Sequence, residues 1–252
     1  MSNWFSYQYS LLVTALVFLS RLPLKTEYHA DKLSQSARYF PLAGLCIGCL
    51  VALTFYGLSF IFSHSLALVL SMVFSLLLTG AFHEDGLADS CDALWGAFKK
   101  HDVLRIMKDS RLGTYGVAAL ISALAVKFVA LNELSTSQVT LGLICAHTLS
   151  RGLSVSYLFD MQYVQDESSS KSKPVAQALS QQNLYIALAI ACVPSFLYLQ
   201  LYTLPLLLAL VVLRQLIKYY LIKRIDGYTG DTLGAAQQLF EISFYLYLCA
   251  LI

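Results

Sequence analysis

Long apolar runs separated by short polar links make up almost the whole chain. Reading for stretches of roughly 17–25 apolar residues, the length of a bilayer-crossing helix, gives eight candidates: about 4–20, 39–63, 65–82, 115–131, 139–160, 184–202, 204–222 and 233–252. The pattern predicts an all-α, polytopic membrane helical bundle of seven or eight transmembrane helices, forming one domain over residues 1–252. Runs 39–63 and 65–82 nearly touch and predict a tight helical hairpin, as do 184–202 and 204–222 around Pro205. The first run lacks a basic leading region and a small-residue cleavage site, so it reads as a span and not a signal peptide.

Composition agrees with this reading. Hydrophobic residues make up 58% and charged residues 13% of the chain, against about 45–50% and 25% in soluble domains, and mean hydropathy is +0.64. A soluble surface of this size could not be covered with so few charges, and disorder, collagen and a disulfide-stapled module are excluded by the same figures. A net charge of +2 gives no ground for a nucleic-acid partner. Five of the six cysteines lie in apolar stretches as small hydrophobes, and Cys46-x-x-Cys49 lacks the second pair of a zinc ribbon.

The charges that remain are not scattered. Arg21, Lys25, Lys32 and Arg38 fall between runs one and two; Lys99, Lys100, Arg105, Lys108 and Arg111 between three and four; Lys171 and Lys173 between five and six; and Lys218, Lys223 and Arg224 around the link from seven to eight. The even-numbered links hold no Lys or Arg. The positive-inside rule assigns the odd links to the cytoplasm, with both termini opposite. Lys127, Arg151 and Arg214 lie within runs, where an unpaired charge is costly. Lys127 and Arg151 are expected to face the bundle interior, toward phosphates or carboxylate partners. Gly44-x-x-x-Gly48 predicts close helix packing.

Six of the fifteen acidic residues fall in 84–109. Within His83-Glu84-Asp85-Gly86-Leu87-Ala88-Asp89-Ser90-Cys91-Asp92, a helix would place Asp85, Asp89 and Asp92 on one face at i, i+4 and i+7. Three like charges on one stripe call for a cation among them. An all-carboxylate donor set suits Mg²⁺ or Mn²⁺ better than zinc, and Mg²⁺ with open positions is the arrangement used in phosphoryl transfer. The alternative is a solvated acidic face. Next come Arg105, Lys108 and Arg111 at i, i+3, i+6, a basic stripe that could face phosphates, and Ser110-Arg111-Leu112-Gly113-Thr114-Tyr115-Gly116, where backbone amides at a helix start could approach an anion. A third block, Gly227-Tyr228-Thr229-Gly230-Asp231-Thr232-Leu233-Gly234-Ala235-Ala236, offers further ligands or a simple helix cap. The active-site link is thus about 83–114, on the cytoplasmic side.

These residues resemble the cobalamin synthase family, the adenosylcobinamide-GDP ribazoletransferases. Residues 83–92 resemble its H-x-D-G-L-A-D-x-x-D signature. Phe18-Leu19-Ser20-Arg21-Leu22-Pro23 is similar to its F-x-x-R-L-P, Tyr39–Gly44 to F-P-x-x-G, Arg105–Thr114 to M-x-D-S-R-x-G-T and Gly230–Ala235 to G-D-x-x-G-A. Ala93 departs from the family's Gly. The resemblance implies transfer of the adenosylcobinamide-phosphate moiety of adenosylcobinamide-GDP to a hydroxyl of α-ribazole or its 5′-phosphate, with release of GMP and with Mg²⁺ as cofactor. It implies Asp85, Asp89 and Asp92, with Glu84 beside them, as metal ligands, and Asp85 or His83 nearest the attacking hydroxyl. Arg21, Arg105, Lys108, Asp109, Arg111, Gly113, Thr114, Lys127, Arg151, Gly230, Asp231 and Thr232 would bind substrate. It also implies a bacterial cytoplasmic membrane location, with lipid around the chain and room for a homo-oligomer or association with other corrinoid-pathway enzymes. A CDP-alcohol phosphotransferase is disfavoured because no Arg follows Asp89 and that family's later aspartates are missing. A transporter would place its polar site near the bilayer midplane, whereas the motifs here sit at one edge.

Overall fold

The computed structural model describes residues 2–25, 30–109, 111–164 and 179–251; Ser110, Lys171 and Lys173 of the expected functional and basic links lie outside them. The helices are α1 (Ser2–Leu19), α2 (Ala30–Ser36), α3 (Phe40–Leu58), α4 (His64–Thr79), α5 (Phe82–Gly96), α6 (Lys100–Met107), α7 (Thr114–Asn132), α8 (Thr136–Val155), α9 (Tyr157–Asp160), α10 (Gln181–Leu199), α11 (Thr203–Ile225) and α12 (Gly230–Cys249). The all-α expectation holds.

Among the described residues, three helical runs are long and apolar enough to cross a membrane: Lys32–Leu58, Thr114–Asn132 and Gln181–Ile225. The pair His64–Thr79 and Phe82–Gly96 passes that test together but is bent by 86°. Apolarity alone therefore falls short of the expected seven or eight crossings. The reason lies in α8 and α12, which spend helix positions on buried His147, Ser150, Arg151, Gln237, Gln238 and Glu241.

Hydrogen bonds and ion pairs between helices show which helix ends share a level. At one level, Arg21 N donates to Leu78 O, Arg38 bonds Asn183, and Lys100 pairs with Asp226. At the other, Ser65 bonds Asn132, Cys249 reaches Ala130 O, and Tyr247 donates to Tyr202 O. The run Gln181–Ile225 is therefore two passes: Asn183 and Asp226 share the first level while Tyr202 lies at the second. Its turn is made by Gln200 in the left-handed region, with φ 51°. By the same contacts α4, α10 and α11 connect the two levels.

The first run departs from expectation. Tyr7 bonds Gln35 and Gln8 accepts from Arg38 and Tyr39, while Phe18 at the other end stacks on Phe40 at 5.5 Å. Both ends of α1 thus meet the start of α3, so α1 lies across the basic level of the bundle and does not pass through it. Exposed Trp4, Phe5 and Tyr9 on this helix suit an interfacial position. The N-terminal helix therefore sits at the basic level, opposite to the expected placement.

The main packing is α3 against α8. A Cβ on Gly44 would collide with the His147 carbonyl oxygen, and one on Gly48 would lie 3.0 Å from Ile144 Cα, so the Gly-x-x-x-Gly spacing brings these backbones together as expected. Leu33, Ile47, Phe55, Leu149, Phe240 and Phe244 fill the shared core.

Candidate active site

The acidic helix α5 leaves α4 through Gly80 (φ 67°) and Ala81 (φ 53°). Two successive left-handed residues turn the chain through 86°, which lays α5 along the basic level instead of continuing through the bundle. Gly80 also faces the Arg21 side chain closely enough that a Cβ there would meet its guanidinium. At its other face α5 crosses the start of α12. A Cβ on Gly86 would lie 2.7 Å from Asp231 O and 3.1 Å from Asp231 Cα, and one on Gly234 would lie 3.3 Å from His83 Cα. The two glycines let the helix backbones meet, and this crossing sets Asp231 beside the α5 carboxylates.

The electrostatics report that gathering. Asp89 is pushed up to about 7, first by burial and then by Asp85, Asp231 and Asp92. Asp231 is pushed up to about 6 by burial and by Asp85. Carboxylates that raise one another form a site of concentrated negative charge. Among the described residues, no three His, Cys, Asp or Glu side chains stand as a ready-made metal cage. Asp85 is exposed and Asp89 and Asp231 are half-buried. His83, one turn from the cluster along α5, is buried and held well below its ordinary value, chiefly by desolvation.

The other two expected metal ligands face elsewhere. Asp92 accepts from the backbone N–H groups of Gly113 at 2.7 Å and Gly116 at 2.8 Å, so it caps α7. Those amides, expected to approach a substrate anion, bind this carboxylate instead, and a Cβ on Gly113 would come within 2.5 Å of it. Thr114 begins α7 behind this cap. Glu84 turns inward: its Oε1 accepts from Gln238 at 3.1 Å and lies 4.0 Å from Lys127 Nζ.

The expected basic stripe is also divided. Helix α6 ends at Met107, so Arg105, Lys108 and Arg111 do not share one helix face. Arg105 is exposed, 3.8 Å from Asp102. Arg111 pairs with Asp109 at 2.6 Å, and its hydrogen bonds hold Asp109 down at about 2. Gly230 and Thr232 belong to the start of α12, where Thr229 and Thr232 form a capping box; the helix-cap alternative describes Thr232, while Asp231 beside it joins the carboxylates.

Lys127 and Arg151 face inward as expected, into a polar network that the sequence shows only as isolated polar positions. Lys127 pairs with Glu241 at 2.8 Å; Gln237 donates to Glu241 at 2.6 Å and to Ser150 at 2.9 Å; Tyr245 donates to Glu241 at 3.3 Å. Arg151 lies 3.0 Å from both Nδ1 and the carbonyl oxygen of His147. Gln237 and His147 are missed by motif reading, while Glu241 reads from sequence only as a charge within an apolar run, protonated or paired. Their signal is spacing: Gln237/Glu241 and His147/Arg151 are both i, i+4 pairs on otherwise apolar runs.

The family model for cobalamin-5-phosphate synthase matches residues 11–249. The chain belongs to the cobalamin-5-phosphate synthase family. It is 46% identical to an adenosylcobinamide-GDP ribazoletransferase of Vibrio parahaemolyticus, over 97% of this chain and 93% of that protein. It is 44% identical to the ribazoletransferase of Shewanella amazonensis, over 98% and 97%, and 43% identical to that of Vibrio vulnificus over the full length of both. No solved structure matches the chain. Within this synthase family's fold, as seen here, the signature helix α5 and the late G-D-x-x-G-A block are one crossing, joined at Gly86 and Asp231.

Proposed function

We infer that this chain transfers the adenosylcobinamide-phosphate group of adenosylcobinamide-GDP to a hydroxyl of α-ribazole or of its 5′-phosphate and releases GMP. The observation that carries this reading is near-full-length identity of 43–46% to relatives named for that reaction. The gathering of Asp85, Asp89 and Asp231 at one crossing supports it.

The donor chemistry at this crossing fits Mg²⁺: oxygen ligands only, from carboxylates close enough to raise one another. Asp85, Asp89 and Asp231 would hold it. When bound it supplies charge neutralisation for the diphosphate. Asp92 then acts through α7, fixing the Gly113–Gly116 turn beside α5. Asp85, the exposed carboxylate, orients the attacking hydroxyl and takes its proton. Arg105, Lys108 and Arg21, at the same level, draw the anionic donor to the site. The basic level corresponds to the cytoplasmic face of a bacterial inner membrane under the positive-inside rule.

The test supplies purified protein with adenosylcobinamide-GDP, either acceptor and Mg²⁺, and measures GMP. Release of GMP that disappears in Asp85→Asn and Asp231→Asn is expected. Wild-type protein that forms no GMP would overturn the reaction, and full activity in both variants would remove the carboxylate site from it.

A further inference from the structure

A cavity of about 540 Å³ lies under α5. Leu87, Ser90 and Leu94 form its roof, a stripe at i, i+3 and i+7 that the helix turns away from Asp85 and Asp89. Its sides are α7, at Ala119 and Val126, and α11, at Leu216 and Tyr220, and its back wall is α12 from Thr232 to Ile242. Val126, Leu216 and Leu239 are exposed at its rim, so the gap between α7 and α11 opens sideways, out of the bundle.

Helix α12 starts at the α5 crossing and its Tyr247 reaches Tyr202 at the opposite level, so the cavity runs inward from the basic level. Thr232 and Ile242 are ten residues apart, about 15 Å at a helical rise of 1.5 Å per residue. That is about half of a 30 Å hydrocarbon core, the depth of one leaflet. At the shallow end Trp95 and Tyr115 meet edge to face at 5.9 Å on one side, and Tyr220 stands on the other. Such amphipathic rings favour the headgroup boundary. Arg224 bonds the Tyr220 hydroxyl at 2.8 Å and the Ala97 carbonyl oxygen, which fixes its guanidinium at this mouth, with Lys223 exposed beside it. The carboxylates nearest in sequence are engaged, Asp92 by the α7 amides and Asp226 by Lys100. Under the roof, Ser90 is 3% exposed and its Oγ has no hydrogen-bond partner among the described residues.

Apolar walls of this kind do not hold water, and an empty space forfeits dispersion contacts on every side. We propose that the groove holds one acyl chain of an anionic phospholipid from the leaflet at the basic level. The chain fills the space between α7 and α11, an ester carbonyl accepts from the Ser90 hydroxyl, and the phosphate lies against Arg224 and Lys223. Depth, aromatic mouth, unpartnered hydroxyl and cations then fall in the order in which a phospholipid presents its tail, ester and headgroup. The helix that carries Asp85 and Asp89 rests on this lipid as on a floor.

The test reads tryptophan fluorescence. The chain has two tryptophans, and Trp4→Phe leaves Trp95, at the rim, as the sole emitter. The full chain in detergent is titrated with phosphatidylglycerol whose acyl chains carry bromine, which quenches on contact. Quenching should saturate at one lipid per chain. Brominated phosphatidylcholine should need about 5- to 25-fold more lipid, each cation at the mouth counting about fivefold, and Arg224→Gln should cut that preference about fivefold. Ala119→Phe, which grows a ring into the groove from α7, should remove the saturable quenching. Should it fail to fold, Ser122→Phe, from an exposed position lining the same groove, takes its place. Quenching that never saturates, or that saturates equally in the obstructed variant, overturns the site. Equal affinity for the two lipids, or a preference that survives in Arg224→Gln, overturns the anionic headgroup at this mouth. Lipid quenching lost as the chain dimerises would give the groove to a second copy, and lipid displaced by α-ribazole would give it to the acceptor; either overturns the assignment.

Discussion

Replacing Gly86 by alanine tests whether the crossing of α5 and α12 builds the site. The added Cβ would lie 2.7 Å from the Asp231 carbonyl oxygen, where ordinary contact begins at 3.4 Å, so the helices must part by about 0.7 Å. The obstruction is backbone and cannot rotate away. Two energies oppose each other. Alanine in a helix interior gains about 1 kcal/mol over glycine, while overpacking costs about 1–3 kcal/mol, so the net loss of stability should be modest, about 0–2 kcal/mol. Activity should suffer far more, because the displaced residue is Asp231 itself, and misplacing a catalytic group by about 1 Å costs on the order of 100-fold. Gly234→Ala is the internal comparison: its Cβ meets His83 at 3.3 Å, a contact that small adjustments relieve. GMP release and detergent melting curves for both variants provide the check. Gly86→Ala with wild-type turnover, or Gly234→Ala as the more damaging change, would refute the crossing as the element that assembles the site.

Two further outcomes follow from charge. Burial and neighbouring carboxylates push Asp89 up to about 7 and Asp231 up to about 6, from an ordinary carboxylate value of 3.8. The folded state therefore holds protons that the unfolded state has released, and stability should fall as pH rises from about 4 to about 7. Without divalent cation the melting temperature should drop across this window; Mg²⁺ should flatten the drop, and a melting temperature that rises instead would contradict the carboxylate cluster. Separately, Lys127→Met leaves Glu241 enclosed without its 2.8 Å partner and should destabilise the protein by about 3–5 kcal/mol. Adding Glu241→Gln should recover most of that loss, and simple additivity of the two changes in melting experiments would argue against the pair.

The apolar runs were legible because hydrocarbon length and helix rise fix how many residues a crossing needs. The acidic helix was legible because i, i+4, i+7 spacing places side chains on one face. Spacing does not name partners, however. Nothing local tells that Asp92 turns to the amides of Gly113 and Gly116, that Glu84 turns inward toward Lys127, or that Asp231, 146 residues after Asp85, completes the cluster. Those choices are made where helices cross, at Gly86 and Gly234. The position of α1 was likewise hidden: its apolar length permits a crossing, and only the bonds of Gln8 to Arg38 and Tyr39 show that it lies across the bundle instead.

The Lys127–Glu241 pair also bears on how the protein enters a membrane. Helix α7 leaves the ribosome with a lysine in its middle and no acidic residue of its own, and the carboxylate that pairs with it at 2.8 Å follows 114 residues later, on α12. Helices α8 and α12, with their own polar interiors, are poor candidates for independent release into lipid. Insertion should therefore be collective: the early helices wait beside the translocation machinery until α12 arrives, and a chain cut before Glu241 should be held there or degraded even though every segment before the cut is intact.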